Sequence, residues 1–171
     1  MIRLGLCCKF HEQPIAFRTT TATYVSKLSK KERLLKLSQL CMTNALALQD
    51  AATYCVKNNI GCFRVNSQIL PIKTHPEVGY KLKELPEARA IKQAFQRCGD
   101  FAQKNDLRYS LHPDQFILLS SPDSTVTEKS IKELEYQAEV AEWIGADVIT
   151  IHGGGGYGDK KSALMRFVQS Y

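Results

Sequence analysis

Apolar runs that end in histidine recur in this chain. Residues 107–112 read "LRYSLH" and residues 147–152 read "DVITIH", closing on His112 and His152. His75 lies in the loop beyond a third apolar run, "CFRV" at 62–65, and about 40 residues separate each histidine from the next. Folding requires no histidine at those points. Neutral imidazole is a common ligand for zinc, manganese and iron. If the three runs are parallel strands, their C-terminal ends share one face, where such sheets and barrels bind ligands. His75, His112 and His152 are therefore candidate ligands of a shared divalent metal site. Each is followed by a residue that turns the chain: Pro76, Pro113 and Gly153. Any strand end needs such a residue, so an ordinary hydrogen-bonding histidine is the competing account at each position.

Other segments at the same strand ends carry chemistry of their own. In "SLHPDQFILLSSPDS", residues 110–124, Gln115 and Phe116 follow His112 almost at once. Phe116 is either a projecting ring or, with Ile117 and Leu118, an apolar anchor for its loop. The run "GGGG" at 153–156 offers backbone N–H groups that suit a phosphate. It lacks both the Lys-Ser/Thr ending of a P-loop and the spacing of a dinucleotide motif, so a plain strand-to-helix loop is equally compatible. Arg64, near the end of "CFRV", faces either a phosphate or a carboxylate in an interior ion pair.

The elements that must position these residues alternate. Residues 2–8 are short, apolar and bounded by polar residues, which predicts a strand, and a polar, Thr-rich loop follows. Ser29 and Glu32 fit a capping box. The helix behind it carries Leu34, Leu35, Leu37, Leu40, Cys41, Leu46, Leu48 and Ala52 as a buried stripe, runs to about Lys57 and ends in "NNIG". A strand at 62–65, a loop with two prolines and a helix over roughly 87–104 come next. After the strand at 107–112, Thr125 and Glu128 suggest a second capping box. Its helix carries Leu134, Ala138, Val140, Ala141 and Trp143 and stops near Gly145. A strand at 147–152 and a helix from about Lys160 complete four strand–helix units. Such alternation predicts a parallel sheet with right-handed crossovers. A doubly wound sheet and a TIM-like barrel both satisfy it. A complete barrel needs eight units and typically about 250 residues. The 171 residues supply about four, which predicts an α/β fold that is a partial TIM barrel, one half of a single domain.

Composition sets outer bounds. The net charge is +6 and the pI about 9.0, a mild preference for a polyanionic partner. The hydrophobic fraction of 44% suffices for a core. Six cysteines occur without any CxxC; Cys7 and Cys8 are adjacent, and the others lie in apolar stretches. This pattern predicts reduced, mostly buried thiols. With no signal-peptide pattern and no membrane-length apolar segment, a soluble, intracellular protein is the expectation.

Taken together, "MIRLG", "FRVNSQILPIKTHP", "SLHPDQFILLSSPD" and "ITIHGGGGYGDKKSALMRFV" resemble the UV damage endonucleases, xylose isomerase-like barrels related to endonuclease IV. The resemblance spans essentially the whole chain, and corresponds to the N-terminal half of the family's barrel. It implies nicking of the DNA backbone on the 5′ side of UV photoproducts, with a cluster of divalent metals, usually manganese; for the histidine site itself zinc is the next candidate. It also implies that His75, His112 and His152 are metal ligands. Gln115 and Phe116 correspond to a damage-probing glutamine and its neighbouring aromatic, a wedge toward DNA in which a ring replaces lost stacking. Arg64, from its place near a strand end, is a further candidate for DNA contact beside them. Two departures stand out. Where family members commonly carry an aromatic and an asparagine near the first strand end, this chain has Leu6 and Phe10. The family's carboxylate ligands, remaining histidines and catalytic lysine belong to the second half, so the catalytic residues are not among these 171. The partner implied is damaged double-stranded DNA, with self-association through exposed barrel edges as a further expectation. The alternatives are another enzyme of the same barrel class, an abasic-site endonuclease or sugar isomerase, or a non-catalytic fragment that binds DNA or serves assembly. A protruding Gln-aromatic pair has no use in a sugar enzyme.

Overall fold

The computed structural model describes residues 2–170. Four strands, β1 (Gly5–Cys7), β2 (Cys62–Val65), β3 (Arg108–Leu111) and β4 (Val148–Ile149), form one parallel sheet in the order β1-β2-β3-β4. That order decides between the two architectures. A doubly wound sheet reverses its strand order at a switch point, whereas a barrel adds each strand beside the last. The chain is four consecutive units of a TIM-like barrel.

The helices are α1 (Ala22–Val25), α2 (Lys30–Lys57), α3 (Ala88–Lys104), α4 (Ser124–Ile144) and α5 (Lys160–Ser170). The Ser29–Glu32 capping box forms in full at the start of α2. The second expected box does not form. Asp123 caps α4 instead, its carboxylate accepting the Thr125 N–H at 2.8 Å. The polar, Thr-rich loop after β1 contains a short helix, α1, which Thr21 caps. Leu35, Leu46 and Ala138 fit the buried stripes by periodicity but lie exposed.

The core lies between the sheet and α2, α3 and α4. Phe63 and Val65 of β2 and Tyr109 and Leu111 of β3 point into it, against Leu37, Leu48, Phe95 and Val140. Period-two alternation then turns Cys62, Arg64 and Ser110 to the other face, where each is only half-buried. The register sets Cys7, Arg64 and Ser110 side by side on that face. All six cysteines are free; Cys41, Cys55 and Cys98 are buried, Cys8 and Cys62 half-buried and Cys7 exposed. Among the described residues no helix is long and apolar enough to cross a membrane.

Candidate functional site

Two of the predicted histidines meet. His112 is the first residue beyond β3, and His152 lies three residues beyond β4, which is shorter than expected. The Thr150 N–H donates to the Leu111 carbonyl at 2.9 Å, which holds the segment leading to His152 against β3. The two Nε2 atoms stand 3.0 Å apart, with the rings tilted and their centroids 4.8 Å apart. Arg64 reaches across from β2, and its Nη1 lies 3.1 Å from Nδ1 of His112. A guanidinium only donates, so Nδ1 accepts and the His112 proton resides on Nε2. Burial, then the Arg64 charge and His152, pull His112 below the ordinary histidine range. A ring that accepts at Nδ1 and carries its one proton on Nε2 is neutral, the form that ligates metals.

His75 stands elsewhere. Its Nδ1 accepts the backbone N–H groups of Glu77 and Val78 at 3.2 and 3.4 Å. Gly79 closes this turn, its N–H donating to the His75 carbonyl at 2.9 Å. A Cβ at Gly79 would lie 2.4 Å from that oxygen, so no other residue fits. The turn places His75 along a groove of about 440 Å3, lined also by Asp114, Phe116, Ile117, Lys129 and Lys132. His75 thus joins the wedge loop rather than the imidazole pair. Among the described residues, no three or more His, Cys, Asp or Glu side chains gather in a group that could hold a metal ion.

The wedge loop has a built shape. Pro113 and Ile117 are buried, while Asp114, Gln115 and Phe116 between them are exposed. The Asp114 carboxylate accepts the Phe116 N–H at 3.1 Å and its carbonyl accepts the Ile117 N–H at 3.1 Å, a local turn typical of aspartate. Ile117 and Leu119 anchor the loop, at 5% and 2% exposure, whereas the Phe116 ring is 74% exposed. The anchor account of Phe116 therefore fails. Further along, the Ser120 carbonyl accepts Arg166 Nε of α5 at 2.9 Å. Gly154, at φ +82°, packs so closely over Ser120 that a Cβ would sit 2.2 Å from its hydroxyl oxygen. The glycine run thus braces the wedge loop through Ser120.

Sequence reasoning missed the residues that hold these loops from behind. Buried Asn44 of α2 accepts the Arg18 N–H at 2.7 Å and donates to the carbonyls of Arg18 and Ile69 at 2.9 and 2.8 Å. It ties the loops after β1 and β2 to one helix. Tyr136 of α4 accepts the Leu70 N–H at 3.0 Å and donates to the Ser67 carbonyl at 2.9 Å. A polar residue inside a helical apolar stripe was the available signal. Phe10, one of the two departures, packs on Tyr54 and Phe63 with centroids 5.2 and 6.0 Å away. It serves the core. A larger cleft of about 620 Å3 lies at the opposite end of the strands. Its arginines are engaged by Asp106 and Asp147, and it contains none of the candidate residues.

The imidazole pair can be tested against a metal. Two ligands of a tetrahedral zinc at ~2.0–2.1 Å stand about 3.3 Å apart, close to the 3.0 Å between the Nε2 atoms. The pair fits two positions of a divalent ion after a small opening.

The family model described as UV-endonuclease UvdE matches residues 2–171. A UV DNA damage endonuclease of Bacillus velezensis is 36% identical over 156 residues, covering 88% of this chain and 46% of that protein. One from Nostoc sp. is 32% identical over 157 residues, covering 88% and 47%. The solved structure described as "Crystal Structure of SacUVDE" superposes with a TM-score of 0.83 at 28% identity, covering 99% of this chain and 55% of that one. The chain spans about half the length of the curated relatives it matches. Matched by that family model over residues 2–171, the chain belongs to the UV-endonuclease UvdE family.

Proposed function

We propose that this chain forms the lesion-probing, ion-binding half of an intracellular DNA-repair endonuclease that nicks the backbone 5′ to UV photoproducts. One observation carries the reading: an exposed aromatic on a loop anchored at both ends, beginning at the imidazole that meets His152. Phe116 supplies a stacking surface for a base that has lost its neighbour, and Gln115 supplies hydrogen bonds beside it. Lys129 and Lys132, along the same groove, add positive charge for the phosphate backbone. Among the described residues, Arg64 makes no ion pair with a carboxylate, which leaves its charge available to a phosphate.

His112 and His152 would hold a divalent ion, manganese foremost and zinc next, with His75 as a further ligand once its loop draws in. When bound, such an ion supplies Lewis acidity toward a phosphoryl oxygen and an acidified water. The imidazoles' own part is to hold two ring nitrogens face to face at the strand ends, that of His152 bare and that of His112 carrying the ring proton until an ion displaces it. Two imidazoles leave most of the charge of a phosphoryl transition state unmatched, so this 171-residue chain recognises irradiated DNA without nicking it by itself. The outer strands β1 and β4 are also free to pair with further strands, which gives self-association measurable as mass in solution. The test of the reading is fluorescence anisotropy with paired irradiated and unirradiated duplexes at fixed salt. Tighter binding to the irradiated duplex is expected, and equal binding overturns the lesion reading.

A further inference from the structure

We infer that Arg64 is a positioning residue that bars ion loading at His112 until a phosphodiester draws it away. The inference rests on the ion reading above and adds a coupling to it. Arg64 has five N–H donors and no acceptor. Its Nη1 lies 3.1 Å from Nδ1 of His112, so that nitrogen must be bare. The ring's single proton then sits on Nε2 and is donated to Nε2 of His152 at 3.0 Å. On His152 the facing nitrogen is therefore already bare. On His112 it is not.

An ion held between the two rings requires both Nε2 atoms to be bare. The His112 proton would have to reside on Nδ1, where the Arg64 donor already stands. Two donors cannot face each other at hydrogen-bond distance, and an incoming cation would add repulsion from the guanidinium. Arg64 must therefore leave before His112 can ligate. Nothing else among the described hydrogen bonds and ion pairs holds it: the imidazole is its one side-chain partner. It projects from β2 on the half-buried face of the sheet, in register with Cys7 and Ser110. A guanidinium held only by a neutral acceptor is readily drawn to an anion, because a phosphate offers charged, bidentate acceptance. A phosphodiester that captures Arg64 would free Nδ1 to carry the proton and leave Nε2 for the ion. One side chain would thus make ion loading depend on substrate.

Two measurements on the full 171-residue chain test this. In the ion-free, 15N-histidine-labelled chain, two-bond 15N–1H correlation NMR, assigned with His112→Ala, is expected to show the proton of His112 on Nε2. In Arg64→Met that preference should fall. Calorimetric titration with zinc should show Arg64→Met binding about tenfold more tightly than the parent, the worth of one hydrogen bond, with Arg64→Lys in between. Dimethyl phosphate should tighten zinc binding to the parent and leave Arg64→Met unchanged; equal tightening of both would mean direct ligation by the anion and overturn the coupling. A proton on Nδ1 of ion-free His112, or equal zinc affinity for parent and Arg64→Met, overturns the role of Arg64. If neither chain binds zinc, the ion reading fails and the loading claim with it, while the tautomer result still decides whether Arg64 orients the ring.

Discussion

Replacing Phe116 with alanine separates the wedge from the fold. The ring is 74% exposed, so its removal uncovers little core and should change stability by no more than about 0.5 kcal/mol. Its neighbour provides the contrast. Ile117 is 5% exposed, and truncation of a buried isoleucine to alanine costs about 2–5 kcal/mol. The binding effects should run the other way. A base–aromatic stacking platform is worth about 1–3 kcal/mol, which corresponds to a loss of about 5- to 150-fold in affinity for irradiated duplex. Affinity for undamaged duplex should barely change, because phosphate contacts supply it. Urea denaturation and anisotropy on the same preparations read both quantities. If Phe116→Ala binds irradiated duplex as well as the parent, the wedge assignment is wrong. If it unfolds as readily as Ile117→Ala, the ring is part of the packing and the exposure argument is wrong.

Three further outcomes follow from the geometry. Asn44→Ala removes the partner of the Arg18 N–H and of two carbonyls, and should destabilise by about 2 kcal/mol or more, read as a lower urea midpoint at unchanged m-value. Gly154→Ala should destabilise through both its φ of +82° and the collision with Ser120, and adding Ser120→Ala should restore the collision part only. Burial pushes the thiols of Cys41 and Cys55 up to about 11 and that of Cys98 to about 12. Labelling the native chain with a disulfide reagent near pH 7.5 should therefore modify exposed Cys7 first and spare those three until denaturant is added.

What the sequence disclosed was local or periodic. The Ser29–Glu32 box lies within four residues and formed as expected. Asp123 displaced Thr125 because both are good caps and only the course of the preceding loop chooses between them. The strand–helix alternation gave the parallel sheet, yet barrel and open sheet separated only on strand order, which alternation does not encode. Leu35 and Leu46 fitted an apolar stripe but face away from the sheet side of α2, since a 28-residue helix with leucines on several faces has more than one plausible stripe. At the site, His112 and His152 were legible as strand ends and they meet. His75 was placed by topology alone, and a tight turn around Gly79 carries it to the wedge-loop groove. The Arg64–His112 contact spans 48 positions and the Tyr136–Leu70 contact 66. Polar partners at such separations are selected by the folded chain and leave no mark in local pattern.

We propose above that His112 and His152 bind a divalent ion as a pair. Manganese titration followed by electron paramagnetic resonance, on the parent, His112→Ala and His152→Ala chains, tests it most directly. Bound manganese is expected in the parent, with a loss of at least about tenfold in affinity in either variant, since even the outer-shell partners of a metal are typically worth that much. Equal manganese affinity in all three chains would contradict it.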